Sequence, residues 1–342
     1  MKKWKLYHLI GFISLFILVI GCQNLADELV GEKPEDAKTI TITMVAKSSS
    51  NPVFLSAKRG AEAAAEDLSD KYSRIDVKID WRTPKADDAE EQAERIATAV
   101  KDGTDAIIVS CSNDSILTAA INNAVDKGIP VMTFDSDAPN SKRFAFYGPD
   151  DVEIGRNVME ELIGVMGETG KVAILGGSPN APNLLKRVQG VKEAAGQYSG
   201  IEIIGDFYHA ENADAAIEVM MKVQKDYPDL KGWAMAGGWP FFSEKLMDKI
   251  EPGKIKIVAV DALPVQLPYI EKGIVDVFLG QPTFKWGEVS VQKVIDKIHL
   301  QEEVEEINRM KLIRVWKENL GGWSRQLRAW GYEGVPKEYL TL

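Results

Sequence analysis

Residues 129–140 read IPVMTFDSDAPN. Val131, Met132 and Phe134 give a short apolar run of the kind that fills a strand covered on both faces, as in a parallel sheet. The chain then passes at once into Asp135, Ser136 and Asp137. A strand of that type delivers its next residues to the carboxyl edge of the sheet, where open α/β folds bind ligands. Two carboxylates beside a serine make a group of acceptors suited to a polyhydroxylated molecule. Taken alone, the loop reads equally as a solvated acidic turn. Similar loops recur in both halves of the chain, and the repetition favours a ligand.

Outward from this stretch, short apolar strands alternate with helical spacing. Strands are predicted at 40–46, 75–81, 106–109 and 130–134, with helices over 52–68, 89–100 and 116–125 between them. Asp102-Gly103, Lys127-Gly128 and Lys272-Gly273 stand where a helix should stop and a strand begin, the usual place of a glycine cap. The alternation restarts with strands at 171–175, 201–207, 232–236, 256–260 and 275–279. Helices are predicted at 184–195, 213–226, 241–250 and 264–271, and final elements near 286–298, 311–315 and 320–330. Strand, helix, glycine, strand is the order of βαβ units. The fold class is therefore α/β, with two open sheets in two lobes whose carboxyl edges can face a shared cleft.

The N-terminus gives an address. Lys2, Lys3 and Lys5 precede an apolar run from Leu9 to Ile20 that ends in Gly21-Cys22, the order of a secretory leader. Val19-Ile20-Gly21-Cys22 resembles a bacterial lipobox, which implies a signal peptide over 1–21, cleavage before Cys22 and lipid attached to it. An uncleaved anchor is the other reading; both put the globular part outside the cytoplasm at a membrane surface. Residues 22–38 are polar and acidic and read as a flexible tether, holding the body roughly 20 to 25 Å from the lipid. The formal net charge of −10 argues against nucleic acid, whose phosphates need clustered Lys and Arg. Of two cysteines, Cys111 reads as an unpaired buried thiol. His8, His209 and His299 are scattered and form no metal constellation.

The residues that follow strands carry the chemistry. In the first half these include Lys47 to Phe54 and Asp135 to Asp137; in the second, Gly176 to Asn183, Gly237 to Pro240, Asp261 and Gln281. Carboxylates, amides, an arginine fork and flat rings are what a sugar requires, the first three for its hydroxyls and the rings for its C–H face.

Asn51-Pro52-Val53-Phe54, Ile129-Pro130-Val131 through Asp135, Arg187-Val188-Gln189-Gly190, Val260-Asp261 and Gly280-Gln281-Pro282 stand in an order that resembles the type I periplasmic binding proteins. Ribose- and galactose-binding components of ABC importers are the nearest kind. The resemblance runs from Thr39 to about Leu300. It implies two Rossmann-like lobes joined by a three-segment hinge, with 39–148 plus 283–307 as the N-terminal lobe and 149–282 plus 308–342 as the C-terminal lobe. It also implies a monomer that closes over a monosaccharide or polyol and hands it to a permease in the same membrane. Carried over by position, Asn51 corresponds to an amide contact, Phe54 to an aromatic clamp, Asp135 to the carboxylate that grips adjacent hydroxyls, and Arg187 to the second-lobe arginine. Asp261 corresponds to a second carboxylate and Gln281 to a hinge-side amide. Asp137 joins the candidate site as the neighbour of Asp135, and Trp239 as a stacking ring where ribose binders have an asparagine. Ser136 replaces the arginine of the ribose type, which puts ribose itself in doubt.

Each candidate has a plain structural alternative: loop capping for Asp135 and Asp261, pairing with an acidic neighbour for Arg187, and core packing for Phe54 and Trp239. No GxSxG, HExxH or nucleotide-binding glycine motif is present. The expectation is a binding protein without cofactor or metal rather than an enzyme. A ligand-sensing receptor for a sugar or a quorum furanone, coupled to a signalling partner, is the alternative; a carbohydrate-active enzyme is the third.

Overall fold

The computed structural model describes residues 37–179 and 181–342. The expected leader, Cys22 and residues 23–36 of the tether lie outside the described residues.

Two six-stranded sheets are present, each covered by helices on both faces. The first contains β1 (Lys38–Val45), β2 (Ile75–Trp81), β3 (Ala106–Val109), β4 (Val131–Phe134), β5 (Ala145–Gly148) and β11 (Ile307–Arg309). The second contains β6 (Thr169–Gly177), β7 (Gly200–Tyr208), β8 (Leu230–Met235), β9 (Lys256–Val260), β10 (Val277–Gly280) and β12 (Ile313–Val315). Strand order is β2-β1-β3-β4-β5-β11 in one and β7-β6-β8-β9-β10-β12 in the other, so the second sheet repeats the first. All neighbours run parallel except β12, which is antiparallel to β10. β3, β4 and β10 are buried at every position, which is why they read as continuous apolar runs rather than alternating ones.

The chain crosses between sheets three times: after β5, after β10 and between β11 and β12. These crossings make the hinge. Helices α1 (Pro52–Lys71), α2 (Ala89–Asp102) and α3 (Asp114–Asp126) connect the first sheet; α4 (Asp151–Met166) follows the first crossing; α5 (Pro182–Ala195), α6 (Ala213–Asp226) and α7 (Leu267–Glu271) connect the second. Helix α8 (Thr283–Ile298) returns to the first lobe, and α9 (Leu320–Ala329) closes the second. Gly103, Gly128 and Gly273 have φ of 85°, 86° and 68°, the left-handed caps expected from sequence.

Within each lobe one pair of helices crosses backbone to backbone. A Cβ at Gly60 of α1 would lie 1.9 Å from the carbonyl oxygen of Phe284 in α8, and one at Gly287 would lie 1.9 Å from that of Ala57. In the second lobe Gly155 of α4 faces the Arg187 carbonyl oxygen at 1.9 Å by the same measure, and Gly190 of α5 faces that of Val152 at 1.9 Å. No side chain fits at these four positions without separating the helices.

Several elements differ from the sequence reading. No element was expected between Asn140 and Lys171, where β5 and α4 stand; β5 is only four residues long. Helix α4 carries Ile154, Val158, Met159, Leu162 and Ile163 on its buried side and is capped by Asp150, which accepts from the amides of Val152 and Glu153. The expected helix at 241–250 is two 3-10 turns, Trp239–Phe242 and Glu244–Leu246, separated by extended Ser243. The Ser243 carbonyl accepts the Tyr269 hydroxyl, and Phe241 and Leu246 reach the core through these turns. Cys111 is a buried free thiol.

Gly155→Ala should lower stability by about 3 kcal/mol, the upper end of ordinary overpacking, in urea unfolding of the purified chain. A loss below about 0.5 kcal/mol would show that α4 and α5 separate freely.

Candidate ligand-binding site

In an open sheet of order 2-1-3-4-5 the crevice opens where strand order reverses, outside the first and third strands. Here those are β1 and β3 in one lobe, β6 and β8 in the other; the segments after β1 and β8, with residues of α5 and those that follow β4, β9 and β10, line one cleft between the lobes. Asn51, Phe54, Asp135, Arg187, Trp239, Asp261 and Gln281 all line it.

Asp135 is the first residue after β4, with φ 57°. Its amide donates to the Tyr147 carbonyl of β5 at 3.1 Å. Ser110, at the end of β3, donates to Asp135 Oδ2 at 2.7 Å. Lys47, just beyond β1, places Nζ 3.6 Å from the same oxygen and 2.5 Å from Ser136 Oγ. An ammonium from beyond another strand thus stands beside Asp135 and Ser136, at a residue not among those expected in the site.

Asp261 holds the matching position in the second lobe. It is the first residue after β9, has φ 90°, and donates its amide to the Leu279 carbonyl of β10 at 3.0 Å. Left-handed backbone costs a residue with a side chain on the order of 1–3 kcal/mol and persists where surrounding structure over-determines it. Gln281 donates to Asp261 Oδ1 at 3.0 Å, and Trp323 of α9 clamps the next peptide by donating its indole N–H to the Ala262 carbonyl at 2.8 Å. Arg187 is buried. Its Nε donates to Asp151 Oδ1 at 2.9 Å and its Nη1 to the Ala236 carbonyl, beyond β8, at 3.0 Å. The acidic partner is therefore on the neighbouring helix α4, and the glycine crossing of α4 and α5 brings the two within reach.

Trp239 lies flat on glycine backbone. A Cβ at Gly177 would stand 2.5 Å from its Cη2, and one at Gly237 2.6 Å. His209 meets the ring edge-on at a centroid distance of 5.0 Å and an angle of 77°. Burial holds the His209 imidazole below its ordinary pKa, so it is neutral at neutral pH, and its Nδ1 lies 2.7 Å from the Ala210 carbonyl. The ring is thus held by three neighbours where it lines the cleft, and an aromatic there can pack against an apolar ligand surface.

Two candidates have structural duties. Asn51 caps α1, accepting from the Val53 amide at 3.1 Å, while its exposed amide faces the cleft. Phe54 is 5% exposed and packs with Phe134 at 6.4 Å and Trp286 at 6.0 Å; it forms the cleft floor as part of the core, not a free clamp. Asp137 does not join the site. It points away from Asp135, accepts from Thr133 Oγ1 at 2.6 Å, and pairs with both Nε and Nη2 of buried Arg143 at 2.5 and 2.7 Å. Residues two apart on an extended segment would share a face; the left-handed backbone at Asp135 breaks that alternation, and the two carboxylates part, one lining the cleft and the other neutralising a buried guanidinium.

The cleft measures about 1330 Å³. Pockets that enclose a small molecule are roughly 300–1,000 Å³, so this cleft is roomier than such a pocket, and approach of the lobes would narrow it. The hydrogen bonds of Lys47, Asp135, Arg187 and Gln281 all stay within their own lobes, and none of these ties opposes that approach.

Fold and site define a two-lobed α/β receptor with a polar cleft at the hinge. A family model described as a periplasmic binding protein domain matches residues 42–301, and the chain belongs to that family. It is 25% identical over 277 residues to a D-ribose/D-allose-binding protein of Pseudomonas aeruginosa, covering 77% of this chain and 83% of the other. Among solved structures, an arabinose-binding protein from Geobacillus stearothermophilus superposes with a TM-score of 0.72 at 26% identity, over 82% of this chain and 98% of that one. A solute-binding protein of an ABC transporter from Burkholderia graminis, in complex with D-arabinose, gives a TM-score of 0.73 at 24% identity, over 84% and 98%.

Asp137→Ala should cost about 3–5 kcal/mol in chemical denaturation, because it leaves a buried charge unpaired, while ligand affinity stays within twofold. A large affinity loss with unchanged stability would return Asp137 to the site. Asp261→Ala should destabilise by about 1 kcal/mol more than Asp261→Gly, since only glycine relieves the left-handed backbone; equal stabilities of the two would contradict the strain.

Proposed function

We propose that the protein is an extracytoplasmic solute receptor that captures a monosaccharide or similar polyol between its lobes and delivers it to an ABC permease, held at the membrane by lipid on Cys22. One observation carries the reading: the loop ends of two separate sheets bring Asn51 and Asp135 from one lobe, and Arg187, Asp261 and Gln281 from the other, to a single cleft. Carboxylates and amides accept and donate in the planar geometry that vicinal hydroxyls match, and Trp239 supplies a flat apolar face. The names of the relatives, which bind ribose, allose and arabinose, support a sugar and support binding rather than turnover. They also favour import over signalling.

Ligand first engages one lobe, and contacts from the other favour the closed form; only that difference in affinity shifts the population. Because Lys47 reaches Asp135 from β1 instead of an arginine beside it, the first-lobe grip differs from the ribose type, and a pentose or hexose other than ribose is the expected partner.

A thermal-shift screen of pentoses, hexoses, deoxysugars and polyols tests this. Ligand at one hundred times its dissociation constant adds about 2.7 kcal/mol, a clear rise in melting temperature, and Asp135→Ala should abolish it. No response to any sugar or polyol would refute the reading, and a full response by Asp135→Ala would remove that residue from the site.

A further inference from the structure

The family match ends at residue 301, yet the chain beyond it returns to the cleft. Gly331, Tyr332, Glu333, Gly334 and Pro336 all line the cavity. This segment folds with the second lobe: Trp330, Tyr332, Val335 and Tyr339 are buried in that lobe's core. It nevertheless touches the first lobe's elements at three points. Tyr332 shares a 2.6 Å hydrogen bond with Thr283, the first residue of α8. Trp330 stacks on Phe284 of the same helix at 6.1 Å with an interplanar angle of 7°. The Arg59 side chain of α1 lies against Gly331, which has φ 79°; a Cβ there would stand 2.1 Å from Nη1.

These ties fix the residues on one side of Glu333 while leaving its own side chain exposed on the cleft wall. Burial pushes the Tyr332 pKa up to about 12, so its hydroxyl keeps its proton and the bond to Thr283 persists across the physiological range. Among the described residues the Glu333 carboxylate has no hydrogen-bonding or ionic partner. It presents two oxygens that can accept from neighbouring hydroxyls. Groups beside a hinge move least when lobes close, so a contact made there exists before closure and survives it.

We infer that Gly331–Pro336 is a third wall of the ligand site, in which Glu333 accepts hydrogen bonds from ligand hydroxyls and Tyr332 is the positioning residue that ties the wall to Thr283. The inference rests on the sugar reading above and deepens it. It adds an acceptor on the hinge side, from residues beyond the family match.

Calorimetric titration of the purified full-length chain in detergent against pentoses, hexoses and polyols tests it. With the tightest of these, Glu333→Gln should weaken binding about tenfold or more, the loss expected for a hydrogen bond to a charged group. Glu338→Gln, on the same segment but away from the cleft, should leave affinity unchanged. Thr283→Val should weaken binding severalfold, and Thr283→Ser should restore it. Saturating sugar should also slow amide exchange at Tyr332 to Gly334, a readout that needs no variant. Wild-type affinity in Glu333→Gln, or unchanged exchange across the segment, overturns this inference while the sugar reading stands. A wild-type chain that binds nothing in the panel overturns the sugar reading and this inference with it.

Discussion

A carboxylate held in left-handed backbone at the end of a buried strand occurs once in each lobe, and the site depends on it. Asp135 after β4 and Asp261 after β9 share the same circumstances: positive φ, an amide bonded to the following strand of the sheet, and a side chain turned into the interlobe space. Relaxed backbone there would carry both carboxylates elsewhere. Each lobe supplies its own restraint, through Ser110 and Lys47 in the first and through Gln281 and the Trp323 clamp on Ala262 in the second. Strain of this kind clusters where surrounding structure over-determines a direction, and here it sets two carboxylates at the cleft.

The duplication extends past the carboxylates. The two sheets have the same strand order, and each lobe has one pair of helices that cross through facing glycines. In the second lobe that crossing sets Arg187 against Asp151 and the end of β8. In the first it seats α8, which enters directly from a hinge strand, against α1, whose N-terminus presents Asn51. Close helix packing therefore does two things at once: it completes each core, and it fixes the hinge-side ends of the helices relative to the sheet edges.

Much of this was legible from sequence because it is local. Continuous apolar runs gave β3 and β9 to the residue, glycines at helix ends marked the caps, and the first residue after each strand named Asp135 and Asp261. What was missed depends on distance along the chain. Lys47 meets Ser136, and Trp323 meets Ala262, across separations that no window of periodicity spans. Asp137 looked like a second ligand carboxylate until Arg143 was seen to be buried and to need it. Helix α4 is a different case: its apolar spacing and the Asp150 cap were present to be read, but the four-residue β5 before it gave too little signal to show that the alternation had not stopped. The 241–250 segment misled because its apolar residues serve the core from two short turns rather than one helical face.

The central claim is that ligand is shared between lobes that close on it. Spin labels at Ser115→Cys and Asp214→Cys, in the first turns of α3 and α6 on the cleft side of the two lobes, report the separation by pulsed electron resonance. The mean distance should shorten by several ångströms when the tightest-binding sugar is added at saturation. An identical distance distribution with and without that sugar would contradict the account.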